Sequence, residues 1–206
     1  NMGQRLEDQA REIPDHTFFL YDDRAYTYED ANIRVNQFVY SLLTVGVAKG
    51  DYVGIMMDNH PDYLTLIVAL NRMGAVAVLI NPGAQGTVLE QAITEGRVNG
   101  VIADPAHLGA VCEVLPNDRT WMVWGNTPGV EVPKGVACLE KLMDERIRDC
   151  PLKSGANPGH ADDIALLVFT SGTTGLPKAA RISNGRWMMA ATGAAVAGGL
   201  TPNDTV

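Results

Sequence analysis

The chain has 206 residues, 46% of them hydrophobic, and carries a formal net charge of −8 at pH 7. A chain of this length buries about 70% of its unfolded surface, which is enough for one large domain or two small subdomains. The acidic balance argues against a general nucleic-acid binder, because such proteins normally present a basic face.

Cysteine usage favours a cytoplasmic protein. Cys112, Cys138 and Cys150 are odd in number and lack CxxC spacing, so we expect reduced thiols rather than a disulfide framework.

The most apolar region, residues 63–80, is interrupted by Asn71 and Arg72 and is too short to span a bilayer. Peripheral association with a membrane stays open.

The first part of the chain predicts a hairpin and then strands that alternate with helices. Thr27 and Asp30 form a capping box at the start of a helix that Gly46 ends. Thr87 with Glu90 predicts a second capping box. In chain order the predicted elements are hairpin strands at 18–21 and 25–28, a helix at 28–45, a strand at 52–57, a helix capped by Asp58 or Asn59 and ended by Gly74, a strand at 75–80, and a helix at 87–98.

The second part continues the alternation. Its predicted elements are a strand at 100–103, a helix at 104–114, a strand at 121–124, a helix of mixed charge at 139–148, a strand at 164–169, and a tightly packed helix at 190–199. Strands alternating with helices of this length predict an α/β fold with βαβ units and a mainly parallel sheet. We assign residues 1–150 to a first α/β subdomain, residues 151–163 to a connecting loop, and residues 164–206 to the start of a second subdomain.

One run of nine residues carries the chemistry: Thr170-Ser171-Gly172-Thr173-Thr174-Gly175-Leu176-Pro177-Lys178. It follows an apolar strand. Its glycines let backbone N–H groups converge on phosphate oxygens, its hydroxyls donate further hydrogen bonds, and its lysine neutralises charge. The composition predicts a polyphosphate-binding loop made of Thr170, Ser171, Gly172, Thr173, Thr174, Gly175 and Lys178.

Other loop motifs do not fit this run. A Walker A loop needs Lys directly after the second Gly and then Ser or Thr, whereas Lys178 comes three residues after Gly175 and precedes Ala179. No GxGxxG fingerprint is present, and Phe169 stands where a serine-hydrolase elbow needs Gly. A surface turn without a ligand remains the alternative.

The run FTSGTTGLPK resembles the phosphate-binding signature of adenylate-forming enzymes, the superfamily of acyl-CoA synthetases, luciferases and nonribosomal-peptide adenylation domains. The segments at 26–30 and 46–83 resemble earlier family segments, so the resemblance covers the whole chain. Within the superfamily, Lys178-Ala179-Ala180, Asn81 and Arg186-Trp187 resemble the fatty acid transport protein and very-long-chain acyl-CoA synthetase branch. Asn184 departs from that branch, which commonly has His there, and the departure bears on the carboxylate end of the acyl pocket.

The resemblance implies the N-terminal portion of the large domain of such an enzyme. It implies activation of a fatty acid with ATP to acyl-AMP and pyrophosphate, followed by thioester formation with coenzyme A. Lys178 would stabilise the pyrophosphate. The principal ligand for Mg²⁺ is expected beyond Val206, with no metal ligand in these residues, and the 206-residue chain alone is expected to be inactive. Two alternatives stay open: a ligase for an aryl or amino acid, and a non-catalytic nucleotide-binding or interaction module.

The expected partners are small molecules, namely the fatty acid, ATP and coenzyme A, with no nucleic acid. The sequence motifs determine neither the acyl chain length nor the oligomeric state. Arg181 and Arg186 are candidates to add positive potential near Lys178. The histidines lack metal-ligand spacing and are expected to have surface or capping roles; they are His16, His60, His107 and His160.

Overall fold

The computed structural model describes residues 1–125, 127–152, 157, 159–170, 178–201 and 204. Its helices are α1 (Met2–Glu12), α2 (Tyr28–Thr44), α3 (Pro61–Met73), α4 (Gly86–Glu95), α5 (Leu108–Val114), α6 (Leu139–Leu142) and α7 (Asn184–Gly198). Its strands are β1 (Thr17–Tyr21), β2 (Arg24–Thr27), β3 (Tyr52–Met56), β4 (Val76–Leu79), β5 (Gly100–Ala103), β6 (Thr120–Met122), β7 (Ala137–Cys138), β8 (Ile164–Thr170) and β9 (Lys178–Ser183).

A seven-stranded sheet organises the chain, with strand order β7-β6-β5-β3-β4-β8-β9. All neighbours are parallel except β8 and β9, which form an antiparallel pair. The strands β1 and β2 make a separate antiparallel hairpin. The α/β fold with a mainly parallel sheet is therefore confirmed.

Helices cover both faces of the sheet. Val53 and Ile55 of β3 lie in an apolar cluster with buried residues of α1, α2 and α3. Met56, on the opposite face, lies in a second cluster with Leu89 of α4 and Val111 of α5. Burying each such side chain contributes about 1.5–3 kcal/mol, which explains why the central strands are apolar on both faces.

The helix α1 has no counterpart among the elements predicted from the sequence. Asn1 caps it by accepting a hydrogen bond from the Gln4 N–H at 2.9 Å, and Met2 and Leu6 face the core. Arg72 of α3 is fully buried and donates to the Gly3 carbonyl at 2.8 Å. Tertiary packing and this buried guanidinium hold a helix whose sequence is mostly polar.

Several predicted helix boundaries are wrong. The helix predicted at 87–98 ends at Glu95, the helix predicted at 104–114 begins at Leu108, and the helix predicted at 190–199 begins at Asn184. Gly86 begins α4 one residue before Thr87, so Thr87 lies inside the first turn, and Gln85 is the N-cap without a side-chain hydrogen bond. The helix predicted at 139–148 ends at Leu142. Beyond it, the Asp144 carboxylate accepts hydrogen bonds from the backbone and guanidinium of Arg146, a local turn that competes with helical hydrogen bonding. These Arg146 hydrogen bonds lower the pKa of Asp144 to about 2.

The strand that follows the predicted connecting loop joins the same sheet. Ala77 of β4 pairs with Leu166 of β8. The division into subdomains at residues 151–163 stays a prediction. The helix α7 forms but is not tightly packed: among the described residues, Met189 is 74% and Val196 is 78% exposed.

Candidate functional site

The two ends of the predicted phosphate-binding run lie side by side. Thr170 ends β8, Lys178 begins β9, and the two residues are register partners. The Thr170 hydroxyl donates to the Lys178 carbonyl at 3.4 Å, and both residues are exposed. The other predicted binding residues lie outside the described residues; they are Ser171, Gly172, Thr173, Thr174 and Gly175.

Thr170 lies at the carboxyl edge of the parallel sheet. Because β8 runs parallel to β4, its last residue lies at the edge where β3, β4 and β5 also end. Asp58, Asn81 and Asp104 follow those strands within two residues of their ends. Ligands of open α/β sheets bind outside this edge. The position of Thr170 and Lys178 is therefore one where an exposed ammonium and hydroxyl can contact an anion.

Only one of the two neighbouring arginines lies close to Lys178. Lys178 and Arg181 line the same pocket of ≈ 220 Å³, together with Arg97 near the end of α4. Arg186 instead lies in the first turn of α7, beyond the far end of β9, where its N–H bonds the Ser183 hydroxyl at 3.3 Å. At about 3.3 Å per strand residue, Ser183 lies roughly 16 Å from Lys178. Arg181 therefore lies nearer to Lys178 than Arg186 does.

A partly buried ion pair supports the same edge, and sequence reasoning missed it. Arg34 of α2 binds the Asp62 carboxylate through two hydrogen bonds of 2.8 and 2.7 Å. The Trp124 indole donates to the same carboxylate at 3.0 Å. Burial alone would raise the pKa of Asp62, but the hydrogen bonds and charge of Arg34 outweigh it and hold that pKa below its usual value. The pair fixes α2, α3 and the chain after β6 to one another.

His60 stands beside this pair. Its Nδ1 accepts the Asp62 N–H at 3.1 Å, which caps α3, and its ring meets the Trp124 ring edge-to-face at 4.3 Å. Burial is the largest cause of its lowered pKa, and the positive charge of Arg34 lowers it further. The predicted capping role of this histidine is confirmed, although the sequence suggested Asp58 or Asn59 as the cap of α3.

Asn184 lies at the opposite edge of the sheet from Thr170. The antiparallel register pairs Ser183 with Ile164, at the amino end of β8. Asn184 is buried, its amide donates to the His160 carbonyl at 3.0 Å, and its oxygen accepts from the Asn71 amide at 3.0 Å. This side chain ties α7 to α3. The bearing of Asn184 on the carboxylate end of the acyl pocket stays a prediction.

The cysteines are free thiols whose surroundings suppress reactivity. Desolvation raises the pKa of Cys112, Cys138 and Cys150. A raised pKa leaves less of the reactive thiolate at neutral pH. Among the described residues, a search of the helices reveals none with the length and apolar character needed to cross a bilayer.

Comparison with known proteins identifies relatives with similar sequences. The Mus musculus long-chain fatty acid transport protein 6 is 31% identical over 84% of this chain and 28% of that protein. The medium/long-chain-fatty-acid–CoA ligase FadD6 of Mycobacterium tuberculosis is 31% identical over 97% of this chain and 31% of its own length. The chain thus spans about a third of the length of these curated relatives.

The fold is that of the N-terminal subdomain of adenylate-forming enzymes. The anthranilate CoA ligase AuaEII, solved in complex with anthranoyl-AMP, superposes with a TM-score of 0.79 at 22% identity, over 93% of this chain and 36% of that chain. The family model described as AMP-binding enzyme matches residues 6–206. This match spans nearly the whole chain, and the chain therefore belongs to the AMP-binding enzyme family.

Proposed function

We propose that these residues carry the ATP-polyphosphate-binding loop of an AMP-forming acid–thiol ligase that activates a fatty acid. The observation that supports this most directly is the register pair of Thr170 and Lys178 at the carboxyl edge of the parallel sheet. The run rich in glycine and hydroxyl residues ends in Lys178, whose ammonium is exposed. This position is at the edge where α/β folds bind ligands.

In the proposed first step, a carboxylate oxygen of the acid attacks the α-phosphorus of ATP. The bond from that phosphorus to the bridging oxygen breaks, and acyl-AMP and pyrophosphate form. Negative charge grows on the leaving pyrophosphate. The Lys178 ammonium and the Thr170 hydroxyl oppose that charge by position and electrostatics, and Arg181 adds to the positive potential. Ser171, Gly172, Thr173, Thr174 and Gly175 would supply the other donors.

In the proposed second step, the sulfur of coenzyme A attacks the acyl carbon of acyl-AMP, and AMP leaves as the thioester forms. Pyrophosphate has departed by then, so the charge that Lys178 opposes is no longer present. This separation makes the proposed role of Lys178 specific to the first step.

A fatty acid is the substrate class that the relatives favour. Two proteins at 31% identity are named as a fatty acid transport protein and a fatty-acid–CoA ligase. A ligase for an aryl acid is the second candidate, because the anthranilate CoA ligase shares the fold. A non-catalytic nucleotide-binding module is the third, and it predicts nucleotide binding without turnover.

Substrate-dependent ATP–pyrophosphate exchange tests these candidates. The complete natural protein containing this chain is assayed with fatty acids of several lengths, benzoates and amino acids. The proposal expects exchange with fatty acids and thioester formation on addition of coenzyme A. Exchange driven only by an aryl or amino acid would leave adenylation intact and reject the fatty-acid assignment. Nucleotide binding without exchange for any acid would favour the module.

We also propose a cytoplasmic location with peripheral membrane contact, which the relatives named for fatty acid transport support. Sedimentation with zwitterionic phosphatidylcholine vesicles at physiological ionic strength tests it, because the net charge of −8 would be repelled by an anionic surface. Retention of the protein in the supernatant would reject membrane contact.

A further inference from the structure

Three side chains that can bind metals converge at the carboxyl edge between β3 and β5. The His107 Nε2 lies 3.0 Å from the Asp58 Oδ1 and 3.9 Å from the Asp104 Oδ2. One ligand atom from each residue lies within 4.8 Å of the others. Two ligand atoms at the 2.0–2.2 Å bond lengths typical of imidazole and carboxylate ligands lie at most about 4.4 Å apart, and both His107 separations are within that limit. The exposed Asp58 side chain can rotate to bring its oxygen within the same distance of Asp104.

The topology brings these residues together from distant positions in the chain. β3 and β5 are adjacent parallel strands, with Met56 paired to Ala103 at their carboxyl ends. Asp58 follows β3, Asp104 directly follows β5, and His107 precedes α5. The chain leaves β3 through α3 on one face and leaves β5 through α5 on the other. Such a divergence opens a crevice at the carboxyl edge.

Asp104 is held in place as a preformed ligand. Its side chain is 3% exposed, and its Oδ1 accepts the N–H groups of Ala106 and His107 at 2.9 and 3.1 Å. Its Oδ2 accepts the Asp58 N–H at 2.9 Å and retains a second lone pair. Backbone hydrogen bonds that orient a ligating carboxylate raise metal affinity. The orientation of this nearly buried carboxylate is therefore fixed before any cation binds.

The donor set selects the class of metal. Two carboxylates carry the charge that balances a divalent cation, and one imidazole nitrogen favours zinc, cobalt and related metals over calcium and magnesium. The Asp58 side chain is 67% exposed, so the remaining coordination positions open to water. We infer that Asp58, Asp104 and His107 form a binding site for a divalent transition-metal cation such as Zn²⁺.

This site is distinct from the predicted phosphate-binding loop. β8 lies two strands from β3 in the sheet, which places Thr170 about 10 Å away across the strands. The site uses neither Lys178 nor any residue of the glycine-rich run. Its existence therefore does not depend on the proposed ligase activity.

Titration with Co²⁺, followed by competition with Zn²⁺, tests the site. Co²⁺ bound by nitrogen and oxygen should give visible d–d absorption that saturates at one equivalent and is abolished by Zn²⁺. Asp58→Asn, Asp104→Asn and His107→Gln should each weaken binding by at least about tenfold, because each removes one of three ligands. Asp118→Asn, at an exposed acid outside the cluster, is the matched control and should leave binding unchanged.

Asp58→Asn keeps the experiment decisive if the other two variants fold poorly, since this exposed side chain has little part in packing. Circular dichroism and thermal unfolding without metal confirm that the variant is folded. Unsaturable absorption, or equal affinity in Asp58→Asn and the wild type, would overturn the proposal. A near-ultraviolet thiolate-to-cobalt band would also overturn it, because the ligands would then be cysteines.

Discussion

The two edges of the parallel sheet carry polar side chains of different kinds. At the carboxyl edge, Asp58, His107 and Lys178 can carry charge, and Asp58 and Lys178 are exposed. At the amino edge, the neutral amides of Asn71 and Asn184 bond each other in a buried position. An exposed charge can exchange solvent for a ligand, whereas a buried amide pair can only hold elements together. We call the carboxyl edge, where the proposed phosphate-binding residues Thr170 and Lys178 lie, the binding edge, and the amino edge with its buried amide pair the structural edge.

The largest expected effect tests the binding edge. Lys178→Ala in the complete natural protein should slow adenylation by roughly 10²–10³-fold, as expected for loss of one electrostatic donor to a developing charge. ATP–pyrophosphate exchange measures this step, and thioester formation from preformed acyl-AMP should change much less. Arg186→Ala is the matched control, because it removes a cation beyond the far end of β9 and should leave exchange near its original rate.

Equal loss in the two half-reactions would contradict the role of Lys178, because pyrophosphate leaves in only one of them. A Lys178→Ala protein with a much lower melting temperature would point instead to a structural role. Neither is expected, since this exposed lysine at the start of an edge strand buries little apolar surface.

The next effect concerns the ion pair that supports the binding edge. Asp62→Asn should lower the free energy of unfolding by about 2–4 kcal/mol, because it removes the carboxylate that Arg34 binds through two hydrogen bonds. Among the described residues, only the Glu140 carboxylate, at 3.9 Å, then balances this guanidinium. The Arg34 side chain is 30% exposed, so water compensates part of the loss. Urea unfolding at pH 7 measures the change.

The lowered pKa of Asp62 determines how its contribution to stability changes with pH. The pKa of Asp62 is lowered from 3.8 in the folded chain, so its stabilising contribution is present above that value and is lost as pH falls through the folded pKa. The difference between wild type and Asp62→Asn should therefore shrink under strongly acidic conditions. A difference that stays constant with pH would show that packing, not charge, causes the loss.

A smaller effect is expected at the structural edge. Asn184→Ala removes the partner of the Asn71 amide and of the His160 carbonyl, so stability should fall by about 1–2 kcal/mol. The rate of pyrophosphate exchange and its dependence on acid concentration should not change. A raised KM for the acid with unchanged stability would place Asn184 in the substrate pocket and break the distinction between the two edges.

Local signals in the sequence predict much of the fold but less of the site. The capping box at Thr27 begins α2 and the left-handed Gly74 ends α3, both as expected, because these devices act over about four residues. The Arg34–Asp62 pair and the Asp58–Asp104–His107 cluster join segments far apart in the chain, which no local pattern reveals. The one local trace of the cluster is the spacing of Asp104 and His107, three residues apart. The helix α1 was missed although local signals were present, because Asn1 caps it and Met2 and Leu6 stand four residues apart on its buried face.

The smallest expected effect concerns the protonation of His60, which lies beside the Arg34–Asp62 pair at the binding edge. Burial lowers the pKa of His60 from 6.5, so the unfolded chain binds a proton at a higher pH than the folded chain does. The contribution of neutral His60 to stability is thus present above about pH 6.5 and is lost as pH falls below it.

His60→Asn retains a residue that caps helices but removes this titration. Unfolding measured from pH 7.5 to pH 5 should show a shallower loss of stability in the variant than in the wild type. Parallel curves would mean that His60 takes up its proton equally well in both states, and that the aromatic and charged groups around it do not exclude the charged imidazolium.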